Sequence, residues 1–400
     1  MNKILFVISY LDKGGAERAL SNITQNFPMD YEIDILVNSD KAVDYEYRGN
    51  IVSLGLDCPP KGLSVLFQLK VLFKRVVVLR RLKRNNNYIA CISFLDSANI
   101  ANILSGKKYC KTIISIRNSI SQAKSLWQFK YIVNPLSRLL YNRADKVVAV
   151  SRGVAIELNK YLGVKKERIV AIENGYPVEK IRELATETLD EDMAKVFSEN
   201  KVIINVGRLT HQKGGQHLIR VFSEVHKKNA DTVLIFLGDG ELRNHYNHLI
   251  ETLGLVDSIY ILGYVENPYK YVAKATVFVM TSLYEGFPNA MAEAMCLGVP
   301  CISTDFRTGA RELLDPSRIV DENPIVDVVE AQYGILTPMC KDEKYLDESL
   351  TNEEMLLAQA IGKFFSKETD MEYYKNKSIT RSLDLDVKYA IKQWCEIINE

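Results

Sequence analysis

The chain has 400 residues, 47% hydrophobic and 25% charged, with a formal net charge of +1. That length exceeds one ordinary core and suits two domains of similar size, and the composition excludes a disordered or low-complexity chain. Seven scattered cysteines, with no C-x-x-C pair and no His-flanked cluster, argue against a disulfide framework or zinc site and for a reducing cytosol. The apolar run Met1–Ser9 meets Asp12 and Lys13 at once, too short for a secretory signal. Nothing elsewhere approaches the roughly 18 apolar residues of a membrane span, so a cytoplasmic location is expected.

The small net charge conceals a split. Through Lys180 there are 28 Lys and Arg against 15 Asp and Glu; beyond it, 23 against 35. A basic first half suggests an anionic partner there.

In chain order, Lys3–Ser9 reads as a buried parallel strand. Gly14-Gly15 then opens a helical stretch, Ala16–Phe27, followed by a strand over Glu32–Asn38. Paired glycines at a helix N-terminus permit close approach of a phosphate, although a tight turn explains them equally well. The pattern is not G-x-G-x-x-G, which counts against a dinucleotide cofactor and an NAD-dependent oxidoreductase.

Lys61 to Arg84 carries Lys61, Lys70, Lys74, Arg75, Arg80, Arg81, Lys83 and Arg84 with interleaved Leu, Val and Phe and no acid. A basic amphipathic helix of this kind suits an anionic membrane surface; a solvated face over ordinary core is the plainer alternative. Trp127, Phe129 and Tyr131 with Lys124 and Lys130 offer a second interfacial patch. Nucleic acid is disfavoured, since no reading motif accompanies the basic run. Strands at Ile89–Phe94, Thr112–Ile116 and Lys146–Val150 alternate with helices, the signature of a doubly wound sheet. Arg117 and Asn118 follow the second of these. Arg117 would bind a donor or acceptor phosphate, or pair with a carboxylate.

The pattern restarts at Lys201–Gly207, with a helix at His217–Asn229 and strands at Thr232–Leu237, Ile259–Leu262, Thr276–Met280 and Val299–Ser303. Two such units imply two Rossmann-like domains with a cleft between them, joined near Tyr176–Asn200, and a last helix over Asp384–Ile398. Within Tyr284–Ser303, Gly286 and Pro288 shape a loop and Asn289–Leu297 forms a short helix closed by Gly298. Glu285 therefore sits at the carboxyl end of a strand, where open α/β sheets bind ligands. Glu293 lies one turn into the helix, whose N-terminal amides can hold a diphosphate. One carboxylate can then address sugar hydroxyls and the other a ribose diol.

The segment Glu285-Gly-Phe-Pro-Asn-Ala-Met-Ala-Glu293 resembles the E-x7-E motif of the retaining glycosyltransferases of family 4, which adopt the two-domain GT-B fold. Asn205-Val-Gly-Arg-Leu209 with Gln212-Lys-Gly214 is similar to that family's diphosphate clamp, and the resemblance spans essentially the whole chain. It implies an α/β GT-B architecture: an acceptor domain over 1–180, a nucleotide-sugar domain over 181–372, and a helical segment over 373–400 crossing back to the first. It further implies that Arg208 and Lys213 neutralise the leaving nucleotide diphosphate, that Glu285 orients the sugar, and that Glu293 takes the ribose. Gly263, Tyr264 and Val265, within Leu262–Pro268, would cup the nucleobase, although an ordinary strand exit explains them too. Gly14 and Gly15 would face the donor, as would Gly286, Phe287, Pro288 and Asn289. Leu237-Gly-Asp-Gly240 reads as mainly structural, as do Asn142–Ser151 and Glu173-Asn-Gly175.

Family members often carry a His after the strand that ends at Ile116. This chain has Arg117 and Asn118 instead, and no His between Met1 and Thr210, so no N-domain imidazole base is available. The resemblance implies transfer with retention from a UDP-sugar to a hydroxyl of a lipid-linked saccharide in capsule, O-antigen or similar polysaccharide assembly. No metal or other cofactor is expected, and peripheral contact with the inner face of the cell membrane is. GDP-mannose as donor, a soluble sugar or sugar phosphate as acceptor, and a non-catalytic binding protein on the same fold stay open.

Overall fold

The computed structural model describes residues 2–12, 14–41, 43–57, 65–120, 134–306, 308–318, 323–341, 349–365 and 370–400, with the side chains of 65 and 66 excepted. The expected interfacial patch at Lys124, Trp127, Phe129, Lys130 and Tyr131 lies outside these residues, as does Lys61. The chain divides into two compact units, Met1–Gly175 with Asp386–Glu400, and Tyr176–Leu385.

The first unit is a seven-stranded sheet in the order β3-β2-β1-β4-β5-β6-β7, every pair parallel. Its strands are β1 (Asn2–Val7), β2 (Tyr31–Val37), β3 (Asn50–Ser53), β4 (Ala90–Phe94), β5 (Lys111–Ile116), β6 (Lys146–Ala149) and β7 (Ile169–Ala171). Helices α1 (Gly15–Asn26), α2 (Val65–Asn85), α3 (Asp96–Leu104), α4 (Asn134–Leu140) and α5 (Arg152–Leu162) connect them. Ile4 to Val7 are fully buried, as an apolar strand with helices on both faces requires. The order reverses between β1 and β4, which makes their carboxyl ends the ligand-binding crevice of this sheet.

The second unit repeats the plan in the order β10-β9-β8-β11-β12-β14-β13, parallel except for the β13–β14 pair. Its strands are β8 (Lys201–Val206), β9 (Thr232–Leu237), β10 (Ile259–Gly263), β11 (Val277–Met280), β12 (Cys301–Thr304), β13 (Val329–Glu330) and β14 (Ile335–Thr337). Its helices are α6 (Val178–Leu184), α7 (Glu191–Glu199), α8 (Gly215–Lys228), α9 (Arg243–Thr252), α10 (Tyr269–Val272), α11 (Asn289–Cys296), α12 (Ala310–Leu314), α13 (Asn352–Phe365) and α14 (Met371–Asp384). The switch point here falls between β8 and β11.

The last helix, α15 (Val387–Asn399), belongs to the first unit. Val387, Ile391, Trp394 and Ile398 form one apolar stripe that enters the β1–β2–β4 core, where Trp394 stacks on Phe94 at 6.1 Å. Lys111 donates to the carbonyls of Ile397 and Ile398, closing the helix with a cation at its negative end. Gly175 makes room for this packing, since a Cβ there would lie 2.6 Å from Val387 Cα. The crossing segment is thus shorter than the expected 373–400, because α14 stays with the second unit against α11. The junction falls at Gly175 and Tyr176 rather than after residue 180. Most of the acidic stretch expected to link the domains folds as α6 and α7, whose acids are helix-start and surface residues.

Candidate active site

Two loops leave the β8/β11 switch point of the second unit and meet. The first runs from Gly207 to Gly214, and the second from Thr281 to Pro288. Lys213 Nζ lies 2.5 Å from Glu285 Oε1, both side chains largely buried. Ser282 donates to the same oxygen at 2.9 Å, and Gln212 reaches Oε2 at 3.4 Å. Opposite charges at this distance, screened from water, attract strongly and fix each other's rotamers.

Backbone contacts hold the loops in register. Leu283 N donates to Gln212 O at 2.8 Å, Gln212 Nε2 to Tyr284 O at 2.9 Å, and Thr281 Oγ1 to Gly214 O at 3.0 Å. Gly214 is left-handed at φ +61°, and a Cβ would lie 2.3 Å from Thr281 O, so only glycine lets the Lys213 turn close on β11. The Thr308 hydroxyl donates to Glu285 O, and Gly309 packs directly on Pro288.

Arg208 extends into solvent from the same βα loop as Lys213. The Gly238–Gly240 turn supports that loop, because a Cβ on Gly238 would lie 2.0 Å from Gly207 O. Asp239 O also accepts from Leu209 N at 3.0 Å. Gly286, Phe287 and Pro288 are buried in the loop. Asn289 begins α11 and accepts from Tyr176 Oη at 2.5 Å, while Glu293 is buried one turn on. Gly263 ends β10 at φ +74°, and Tyr264 beyond it is 58% exposed. Val265 is half-buried.

A buried network lies just beyond Lys213. Glu354 of α13 accepts from Arg220 Nε at 3.0 Å and lies 2.8 Å from His217 Nδ1, both on α8 just beyond Lys213. Thr351 N donates to Glu354 Oε2 and Glu354 N to Thr351 Oγ1, a reciprocal capping box that orients the carboxylate.

In the first unit the residues lie at the carboxyl ends of β1, β4 and β5. Gly14 caps α1, and the Glu17 carboxylate folds over it so closely that a Cβ would sit 2.0 Å from Oε2. The glycine therefore accommodates the chain's own anion at the helix N-terminus, the position expected for a phosphate; Gly15 begins the helix behind it. Arg117 is buried, its guanidinium 4.6 Å above the Phe94 ring, and it donates to Asn174 Oδ1. A small concave pocket beside it is lined by Leu95, Asp96, Asn118, Ser119 and Tyr141 among others. Tyr141 Oη donates to Asp96 at 2.7 Å, and burial pushes the Asp96 carboxyl above its usual range. Leu95 adopts φ +71°, a strained value for a branched residue.

Sequence reasoning missed Ser282, Thr308, Asp96 and Tyr141, and read Gln212 only as part of the Gln212-Lys-Gly214 segment. Ser282 and Asp96 stand within two residues of strand ends, which was the available signal. Tyr141 and Thr308 reach their partners only through tertiary folding.

Two doubly wound units, one with a cation and a carboxylate joined across its switch point, fit an enzyme whose ligand binds at a sheet's carboxyl edge. The family models Glycosyltransferase Family 4 and Glycosyl transferases group 1 match residues 13–180 and 189–330. An uncharacterized glycosyltransferase of Methanocaldococcus jannaschii is 31% identical over 342 residues, 82% of this chain and 84% of that protein. The chain belongs to glycosyltransferase family 4 and has its GT-B fold. The N-acetylgalactosamine-N,N'-diacetylbacillosaminyl-diphospho-undecaprenol 4-alpha-N-acetylgalactosaminyltransferase of Campylobacter jejuni is 28% identical, over 91% of this chain and 96% of that one. Among solved structures, Anabaena HepE in complex with UDP and glucose has a TM-score of 0.73 at 19% identity, covering both chains fully.

Proposed function

We propose that this glycosyltransferase moves a hexose or N-acetylhexosamine, with retention, from a UDP-sugar to a hydroxyl of a lipid-linked saccharide in cell-surface polysaccharide biosynthesis. The observation that carries the reading is the Lys213–Glu285 pair at the second unit's switch point. An arriving diphosphate takes Lys213 as a counter-ion beside Arg208, and Glu285 is freed to accept from sugar hydroxyls. Charge on the leaving phosphate oxygen grows in the transition state, so two fixed cations accelerate departure. In this reading they replace a metal ion, and a donor phosphate oxygen takes the acceptor proton on the face from which the diphosphate leaves. Glu293 binds the ribose diol, and Gly263, Tyr264 and Val265 frame the base.

The UDP complex of HepE supports the donor class, and the diphospho-undecaprenol named for the Campylobacter transferase supports a lipid-borne acceptor. Such an acceptor brings the enzyme to a bilayer surface. Arg117, stacked on Phe94 and bonded to Asn174, shapes the acceptor side in this reading. The test is turnover of a panel of nucleotide sugars with EDTA present, followed by product analysis on a lipid-linked saccharide. Transfer from UDP-sugars with an α-linked product supports the assignment; transfer from GDP-mannose alone, or only in the presence of added metal, refutes it.

A further inference from the structure

Tyr176 is the first residue of the second unit, and Leu385 is the last before the chain returns to the first. Tyr176 N donates to Leu385 O at 2.9 Å, which ties the outgoing and returning segments together inside the second unit. The ring is 2% exposed, and its hydroxyl donates to Asn289 Oδ1 at 2.5 Å. Further on, Arg182 of α6 donates through Nε to Cys296 O at 2.9 Å and through Nη2 to Ser382 Oγ of α14 at 3.3 Å. Asn289 is the first residue of α11 and Cys296 the last. One short segment beyond the junction therefore grips the helix that carries Glu293 at both ends, with a cation at its negative end.

The backbone at the start of α11 is held without Tyr176. Asn289 N already donates to Phe287 O at 3.0 Å, and Gly309 packs against Pro288. What the Tyr176 hydroxyl fixes is a side chain. An amide carries an acceptor on one side and a donor with two hydrogens on the other. With its oxygen turned to Tyr176, the half-buried Asn289 turns its NH2 the opposite way, in the loop-to-helix step just beyond Glu285. We infer that Tyr176 is a positioning residue of the donor site, orienting the Asn289 amide so that its NH2 donates to an oxygen of the nucleotide diphosphate. The inference rests on the donor reading proposed above and adds to it a residue that itself touches no substrate. A buried hydroxyl whose own backbone is bonded to Leu385 has little freedom, so the amide is set before a donor arrives and its ordering is not a cost of binding.

The experiment is a double-mutant cycle on the full chain, read as UDP affinity by calorimetry with thermal melts alongside. Tyr176→Phe is expected to weaken UDP binding about five- to tenfold and to melt a few degrees lower. Asn289→Ala should weaken binding at least about tenfold. The double variant Y176F/N289A should bind no more weakly than Asn289→Ala, because Tyr176 acts on the donor only through that amide. A Tyr176 that merely braces the fold would instead add its own loss to that of Asn289→Ala. Asn289→Asp keeps an acceptor for the Tyr176 hydroxyl but sets a carboxylate oxygen where the NH2 was. It should hold its melting temperature and still lose at least about tenfold in UDP affinity. Additive losses in the double variant, wild-type affinity in Tyr176→Phe, or wild-type affinity in Asn289→Asp would each overturn the inference. A wild type that binds no UDP is a different failure: it removes the donor reading itself, and the inference with it.

Discussion

Lys213 and Glu285 are 72 residues apart in the chain and 2.5 Å apart in the fold. Each hangs on a loop from one of the two strands that flank the switch point, so neither loop can move without the other. The pair couples the cation that would meet a leaving diphosphate to the carboxylate that would hold the sugar.

Lys213→Gln and Glu285→Gln are each expected to lower kcat by about 10²- to 10³-fold, the usual cost of removing one charge that acts on the transition state. Ser282 and Gln212 can still bond to the amide that Glu285→Gln introduces, but Lys213 loses its counter-ion, so that variant should melt a few degrees lower. Steady-state kinetics beside a thermal melt check both points. An unaltered kcat in either variant would remove the pair from catalysis.

Arg208 is exposed. Arg208→Ala should therefore leave stability within about 0.5 kcal/mol while reducing kcat/KM at least tenfold. Urea melts and donor titrations distinguish this from a mere surface substitution.

Burial pushes the Glu354 carboxyl up, but hydrogen bonds from His217 and Arg220 outweigh it and hold the group below the 4.5 of a free glutamate. A depressed folded value means the unfolded chain binds this proton first on acidification. The stabilisation is therefore complete above about pH 4.5 and is lost as pH falls through the lower folded value. Glu354→Gln should cost about 3 kcal/mol at neutral pH, by stranding Arg220, and flatten the acid limb of a stability profile. Parallel acid limbs for variant and wild type would contradict this.

Gly175→Ala puts a Cβ 2.6 Å from Val387 Cα and should lift α15 from its groove. Limited proteolysis should then release a C-terminal fragment of roughly 15 residues faster than in the wild type, because exposed segments are cleaved first.

Much of this was legible in the sequence. The apolar runs that became β1, β4, β8 and β11, and the loop between Met280 and Asn289, follow from periodicity and from Gly and Pro placement alone. Strands β7, β13 and β14 escaped because two or three residues carry too little pattern to separate from loop, and β3 because Asn50–Ser53 is short and only partly buried. The direction in which α2 turns its cations was not legible either. Arg75 and Lys83 look like surface residues until Asn38, Ser97 and the end of α3 supply acceptors. Nor does anything local announce that the Glu17 carboxylate folds back over Gly14.

The central claim is a metal-independent UDP-sugar site in the second unit, and thermal denaturation with UDP in EDTA tests it most directly. At a concentration 100-fold above Kd, UDP should stabilise the protein by about 2.7 kcal/mol, a rise of several degrees that Lys213→Gln largely abolishes. A GDP shift equal to or greater than the UDP shift, or a UDP shift that appears only with added divalent metal, would contradict it.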